Sequence, residues 1–304
     1  MVQRIPKHLV RKGMFVESVE CPQTEFSSRR FLVQSDETVR AILATSAAYA
    51  LVNPQKSTVD IAALAGPSAT EQSRKRAEER KHTLETVGQS ARALHEGFDA
   101  ARNGRLEIEA LGPVADEISE RIDAAPDVFL KVTRLKTKDE GTYVHSLAVS
   151  ALMMKLARLL GFEESTVREL GLAGLLHDVG KLMIPNTVLN KNGGLDSKEK
   201  RLVQGHAELG YRLLKRQANV SDLVLDVCRH HHELLDGSGY PLGLKADAIS
   251  PEVRLSTVCD VFEALTSARP YKRAWSNREA LNWMFDRGHL FDKKLVIRLG
   301  SIFS

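Results

Sequence analysis

The chain has 304 residues, of which 43% are hydrophobic and 27% charged, and its formal net charge is +4. A chain of this length can form two domains with substantial cores, and its composition is typical of a globular protein. The positive charge is small and basic residues alternate with acidic ones. This argues against a nucleic-acid polymer as partner and is compatible with a small anionic ligand.

The cysteines and the apolar runs indicate the cellular compartment. Cys21, Cys228 and Cys259 are far apart and form no metal-binding or redox motif, which favours a reducing compartment. No apolar run is long enough to span a membrane, and the N-terminus lacks the apolar core of a signal peptide. The sequence therefore predicts a cytoplasmic protein without a membrane segment.

Residues 1–65 are predicted to form a small α/β domain with a regulatory role. Alternating apolar residues indicate short strands at 14–19, 30–33 and 49–52. Ser35 can cap a helix that continues to Ala47. No pattern in this region indicates chemistry.

Residues 66–126 are predicted to form a helical linker. Gly66-Pro67-Ser68 marks its beginning. A long helix over 69–103 and a second over 108–124 follow. A solvated connecting helix is the preferred interpretation of the first, and a homodimer formed through it is left open because its heptad pattern is short.

Residues 127–304 are predicted to be almost wholly helical. His145 is followed by apolar residues at helical steps, which places it on the apolar face of its helix. The same pattern precedes His177, and Gly174 within it would allow a neighbouring helix to approach closely. Residues 202–210, around His206, are read as one helix, and Ser250-Pro251 begins the helix that carries Asp260.

Several side chains in these helices can bind metal, and they are His145, His177, Asp178, His206, His231, His232 and Asp260. A single buried histidine is more often a core residue with main-chain partners. The whole set would be costly to bury without partners, at about 1–3 kcal/mol for each unsatisfied group. Five imidazoles and two carboxylates exceed the needs of one four-coordinate zinc ion. They suit two octahedral ions of iron or manganese, bridged by Asp178.

Two ions about 3.5–4 Å apart can activate a hydroxide and stabilise both the attacking and the leaving oxygen of a phosphoryl displacement. The spacing therefore predicts metal-assisted hydrolysis of a phosphoester. Two later segments suit such a substrate: a glycine-rich turn over 236–241 and a basic run over 269–273. Alone, either segment is explained as well by an ordinary surface turn or a solvated basic loop.

From about Asp127 onward the chain resembles the HD-GYP family, the HD-superfamily phosphodiesterases that hydrolyse cyclic di-GMP. The matching motifs are His177-Asp178-x-Gly180-Lys181, then His231-His232-Glu233-x-x-Asp236-Gly237-x-Gly239-Tyr240-Pro241, then Asp260 and Arg269-Pro270-Tyr271-Lys272. Leu9-x-x-Gly13-Met14-x-Val16 resembles a domain of unknown function that often precedes this family. The implied fold class is mainly α, a helical HD-type phosphohydrolase domain preceded by a small α/β domain and a connecting helix.

The resemblance implies a role for each residue. The seven side chains would bind two divalent ions, iron or manganese, with Asp178 as the bridge. Asp178 and Lys181 would be catalytic, with Lys181 beside the bridging water and the scissile phosphate. Tyr240 and Pro241 would shape the substrate pocket, and Arg269 and Lys272 would bind the phosphates. The expected product is linear pGpG, and GMP after further cleavage. In some members the GYP segment also docks diguanylate-cyclase (GGDEF) domains.

Three features of this sequence leave alternatives open. Members with a third metal have a Glu four residues before the first ligand histidine, where this chain has Gly141, with Glu140 one step away. We therefore expect two metals. His230-His231 is an alternative register for the paired histidines. The chain stops at Ser304, where family members usually continue, so abbreviated final helices are expected.

The first functional hypothesis is an active cyclic di-GMP phosphodiesterase that uses a metal-activated hydroxide. The alternative is a weakly active cyclic di-GMP receptor, or a scaffold for a diguanylate-cyclase domain. A third hypothesis is an HD hydrolase acting on another nucleotide, against which the GYP segment argues.

Overall fold

The structure is a computed structural model, and it describes residues 2–61, 69–102, 105–134, 141–191, 193–268 and 273–303. The chain divides into two compact units, Met1–Glu78 and Glu79–Ser304. Helices dominate, and the first unit contains a small antiparallel sheet, which confirms the predicted fold class. In the described part of the chain, no helix has both the length and the apolar run needed to cross a bilayer.

Residues 2–61 of the first unit form a four-stranded antiparallel sheet and one α-helix. The elements are β1 (Gln3–Pro6), β2 (Phe15–Val19), β3 (Phe31–Leu32), α1 (Asp36–Ala44) and β4 (Tyr49–Val52). The strand order is β1-β4-β2-β3, so the last strand pairs with the first. The sequence did not predict β1. Ser35 caps α1 as predicted, by accepting a hydrogen bond from the N–H of Thr38, but the helix ends three residues before Ala47.

The remaining helices are α2 (Ala69–Arg102), α3 (Gly112–Ala124), α4 (Pro126–Thr133), α5 (Gly141–Leu159), α6 (Glu164–Leu176), α7 (Asn186–Leu189), α8 (Ser197–Gln204), α9 (His206–Leu214), α10 (Asp222–His230), α11 (Pro251–Thr266), α12 (Asn277–Phe285) and α13 (Lys293–Gly300). Two predicted helices are each divided. Residues 108–111 form a 3₁₀ turn before α3, because Pro113 lacks an N–H and favours the first turn of a helix. The helix predicted around His206 breaks at Gly205.

One apolar core runs through the second unit. Phe98 from α2, Phe129 from α4 and Phe262 from α11 are all fully buried in it. The segment predicted as a linker therefore shares a core with the helices that follow, and burial of this apolar surface is the main force that holds them together. The domain boundaries at 65/66 and 126/127 stay predictions.

Two glycines permit close packing around the predicted site. A Cβ added to Gly174 on α6 would lie 2.5 Å from Ser150 Cα on α5, so the predicted close approach is confirmed. Gly180 follows α6, which ends at Leu176. A Cβ on Gly180 would overlap the carbonyl oxygen of His206, so its role is to let α9 approach.

We expect Gly174→Ala to lower the free energy of unfolding by about 1–3 kcal/mol, because the added methyl group collides with the main chain of α5. Gly97→Ala on α2 is the matched control. Its Cβ would meet only Leu111 Cδ2, at 3.6 Å. The control should be neutral or stabilising by up to about 1 kcal/mol, since alanine favours helices. Urea unfolding measures both changes, and equal effects would contradict this packing.

Candidate metal centre

The seven predicted metal ligands converge from five parts of the helical unit. They are His145 in α5, His177 and Asp178 at the end of α6, His206 at the start of α9, His231 and His232 at the end of α10, and Asp260 in α11. All are buried except His232, whose side chain is 25% exposed. A buried set of polar groups at this density needs a common partner.

The side chains form two adjacent groups, within each of which the candidate ligand atoms lie within 4.8 Å of one another. The Asp178 group comprises Asp178, His206, His231 and His232. The His145 group comprises His145, His177 and Asp260. Asp178 lies between them, with Oδ1 3.2 Å from His206 Nε2 and Oδ2 3.4 Å from His177 Nε2. One carboxylate thus faces both groups, as a bridging ligand does.

Main-chain carbonyls set the orientation of three imidazole rings. The Nδ1 atoms donate to carbonyl oxygens at 2.8 Å (His177 to Gly174), 2.7 Å (His206 to Val203) and 3.0 Å (His231 to Cys228). These carbonyls belong to the last turns of α6, α8 and α10, where the helix leaves carbonyl oxygens able to accept further hydrogen bonds. With the proton on Nδ1, each Nε2 presents a lone pair to the cluster, which is the tautomer that metal-binding histidines use.

The facing nitrogens fit a bound cation. Nε2 of His206 lies 3.3 Å from Nε2 of His231, and both rings carry their proton on Nδ1. Lone pairs at this distance repel unless a positive charge lies between them. Within the described residues, the buried Oδ1 of Asp178 also lacks a hydrogen-bond donor. The cluster can therefore hold metal ions.

The protonation states also suit metal binding. Burial, followed by the neighbouring imidazoles, lowers the pKa of His231, and burial lowers the pKa of His232 to about 3. Although burial raises the pKa of Asp178, Lys181 and His177 bring it well below its usual value. Neutral imidazoles and ionised carboxylates are the forms that coordinate metals.

His145 differs because two carboxylates hold its ring. Its Nδ1 donates to Glu263 Oε2 at 2.5 Å, and its Nε2 lies 3.0 Å from Asp260 Oδ1. Although burial lowers the pKa of His145, Glu263 and Asp260 raise it to about 9. The sequence did not single out Glu263. The available signal was its position three residues after Asp260, on the same face of α11.

Lys181 and the glycine-rich turn lie beside the Asp178 group. Lys181 Nζ is 2.5 Å from Asp178 Oδ2, and its side chain is 28% exposed. The Tyr240 ring packs on His232, with 4.6 Å between the ring centroids, and Pro241 follows it. Arg269 and Lys272 lie outside the described residues.

A buried carboxylate anchors this turn. Glu233 is 1% exposed, and its two oxygens accept hydrogen bonds from the main-chain N–H groups of Leu242, Gly243 and Leu244. Three bonds to one carboxylate fix the backbone just after Tyr240 and Pro241. The sequence motif included Glu233 without giving it a role.

Two of the open alternatives concern residues near the cluster. His230 donates from Nδ1 to Asp226 Oδ1 at 2.7 Å and belongs to neither group, so the structure brings His231 and His232 together instead. Gly141 begins α5 and offers no ligand, while Glu140 is not among the described residues. Over the part of the chain that the structure describes, the candidate ligands form only the two groups.

Comparisons with known proteins agree with this geometry. Residues 119–295 match the HD domain family, and residues 2–127 match a domain of unknown function (DUF3391). A cyclic di-GMP phosphodiesterase of Pseudomonas aeruginosa is 39% identical over 312 residues, which cover 97% of this chain and 75% of that protein. A 3′3′-cGAMP-specific phosphodiesterase of Vibrio cholerae is 36% identical over 173 residues, 56% of this chain and 33% of that protein.

Among solved structures, an HDG"Y"P protein from Bdellovibrio bacteriovorus has a TM-score of 0.56. The match covers 100% of this chain and 99% of that chain at 15% sequence identity. This similarity shows a shared fold.

We expect the affinity for Mn²⁺ to rise with pH up to about 9. Below its pKa of about 9, His145 carries a proton that a metal ion must displace, whereas the pKa values of His231 and His232 are already low. One displaced proton weakens the apparent affinity by about tenfold for each pH unit of acidification. Calorimetric Mn²⁺ titrations between about pH 6.5 and about pH 8.5 measure this slope. An affinity that does not change over that range would contradict the protonation state of His145.

Proposed function

This chain belongs to the HD-GYP family of HD-domain phosphodiesterases, and we propose that it hydrolyses cyclic di-GMP to linear pGpG, and then to GMP, with two divalent metal ions. The observation that carries the proposal is the convergence of seven candidate ligand side chains, six of them buried, in two groups with Asp178 between them. The Pseudomonas relative, named for this substrate, aligns with 97% of this chain. A cyclic dinucleotide also suits a metal centre of this kind, because its bridging groups are phosphodiesters.

The Asp178 group would hold one ion and the His145 group the other. Imidazole nitrogens and carboxylate oxygens are the ligands of non-haem iron and manganese sites, which favours these two metals. When bound, the ions supply Lewis-acid activation of water and stabilise negative charge on the phosphate oxygens.

Lys181 would stabilise the charge that develops on the phosphate during attack. Its ammonium group lies beside the shared carboxylate of Asp178 and is partly accessible. A substrate phosphate placed over the two groups would therefore meet a positive charge that the fold already holds in position. Such preorganised charge acts on the transition state without further rearrangement.

The remaining substrate contacts would come from two loops. Tyr240 and Pro241 would form the wall next to His232. Arg269 and Lys272 follow the helix that carries Asp260 and would bind the phosphate oxygens, because guanidinium and ammonium groups suit this role. The same turn exposes Leu242, with 54% of its surface accessible, on the segment proposed to dock a diguanylate-cyclase domain.

Asp178→Ala is expected to abolish hydrolysis of cyclic di-GMP, because it removes the ligand shared by both groups. Metal content should fall in the same protein, as measured by elemental analysis after anaerobic purification. Asp247→Ala, which changes an exposed aspartate at the surface, is the matched control and should retain both properties. Normal hydrolysis by Asp178→Ala would refute the proposed site.

Lys181→Gln should lower kcat by about 10²–10³-fold, the effect of removing one preorganised group that stabilises transition-state charge. The two metal ions should remain, since Lys181 is not among the proposed ligands. Lys215→Gln, at an exposed lysine of the same unit, should leave kcat unchanged. A loss of metal together with kcat would instead indicate that Lys181 supports the ligands.

The second candidate substrate is 3′3′-cGAMP, the dinucleotide for which the Vibrio relative is named. We expect iron- or manganese-loaded protein to convert cyclic di-GMP with a higher kcat/KM than 3′3′-cGAMP. Product analysis by chromatography on both dinucleotides measures this ratio. A ratio in favour of 3′3′-cGAMP would reassign the substrate, and binding of cyclic di-GMP without pGpG formation would favour the receptor function.

A further inference from the structure

The four histidines nearest to Asp178 are not oriented by the same kind of partner. His177, His206 and His231 follow the ends of α6, α8 and α10, where main-chain carbonyls accept a hydrogen bond from Nδ1–H. His145 is the fifth residue of α5, where the carbonyls of the preceding turn are already used by the helix. Its Nδ1 therefore needs an acceptor from elsewhere, and Glu263 on α11 provides it at 2.5 Å.

Glu263 is itself held in place. It is 3% exposed, and Ser267 Oγ, one helical turn further along the chain, donates to Glu263 Oε1 at 2.5 Å. Asp260 lies one turn earlier on the same face of α11 and reaches the other nitrogen of the His145 ring. One helix thus contacts both nitrogens of the ring through two carboxylates.

We propose that Glu263 is a positioning residue that keeps a proton on Nδ1 of His145, so that Nε2 is the nitrogen available to the metal ion of the His145 group. This inference rests on the proposed function, because it presupposes a metal ion in each group. A histidine can bind a metal only through a nitrogen without a proton. Glu263 therefore controls occupancy of the His145 group without touching the metal or the substrate.

The geometry of the site also allows the other tautomer of the His145 ring. If the remaining ring proton were on Nε2, that atom would donate to Asp260 Oδ1, which is only 3.0 Å away, and a metal ion would lose both ligands. In Glu263→Gln, the hydroxyl of Ser267 donates a hydrogen bond to the amide oxygen, which therefore takes the Oε1 position. The amide NH₂ then faces Nδ1 and favours the proton on Nε2.

The Asp178 group should not respond to this change. His206 and His231 are oriented by main-chain carbonyls, whereas Glu263 accepts the hydrogen bond of His145. The inference therefore predicts the loss of one ion out of two, whereas general unfolding would remove both.

The experiment is a Mn²⁺ titration of metal-stripped wild-type protein, Glu263→Gln and Glu120→Gln, with bound metal counted and followed by electron paramagnetic resonance. Glu120 is exposed on α3 and is the matched control. Wild type and control should bind two ions with the signal of a coupled pair. Glu263→Gln should bind the second ion about 10–100-fold more weakly and show the signal of isolated Mn²⁺. Two ions bound by Glu263→Gln with wild-type affinity would overturn the inference.

A double-mutant cycle separates positioning from folding. His145→Ala should lose the same ion, and adding Glu263→Gln should then weaken metal binding no further. An additional loss in the double variant would mean that Glu263 acts by another route and would overturn the inference.

Should Glu263→Gln fail to fold, Ser267→Ala tests the same contact. It should weaken only the second ion, and unchanged affinities would overturn the inference.

Wild-type protein that binds no pair of ions would overturn the proposed function itself. If wild-type protein binds two ions and Glu263→Gln binds both with the same affinities, only the role of Glu263 is overturned.

Discussion

A buried cluster of histidine and aspartate side chains is the constraint that the helices of the second unit must satisfy. Nε2 of His206 and Nε2 of His231 face each other at 3.3 Å beside the carboxylate of Asp178, away from water. The apolar core brings these groups together from α5, α6, α9, α10 and α11. Because such a set is unfavourable without positive charge, cations at this position would join the helices electrostatically as well as serve chemistry.

Helix ends explain why so many ligands can meet at one place. His177, Asp178, His206, His231 and His232 all lie at or just beyond a helix terminus. The spare carbonyls at those ends orient three of the rings without any further side chain. The tight contact at Gly180 then lets the start of α9 reach the end of α6. The ligand set therefore follows from how these helices end and pack.

The sequence predicted the fold class and the family correctly, because helical spacing and the HD-GYP motifs are local signals. The close helix packing at Gly174 was also predicted correctly, since a glycine on an apolar helix face is a local signal of such packing. Glu263 was missed because its role depends on a contact across 118 residues. The helix break at Gly205 was missed because the hydrophobic periodicity of a helix continues through it. Strand β1 was missed because four residues are too few to show a clear alternation of apolar and polar side chains. The roles of the individual site residues stay predictions.

The metal cluster and the proposed substrate wall have separate supports. The cluster is held by helices of the buried core, whereas Tyr240 and Pro241 lie in a turn that Glu233 anchors through three main-chain N–H groups. Because the anchor acts on the backbone, side chains exposed on the turn, such as Leu242, can change without disturbing the anchor or the metal ligands. A fold built in this way can keep one metal centre while the side chains of the surrounding loops change.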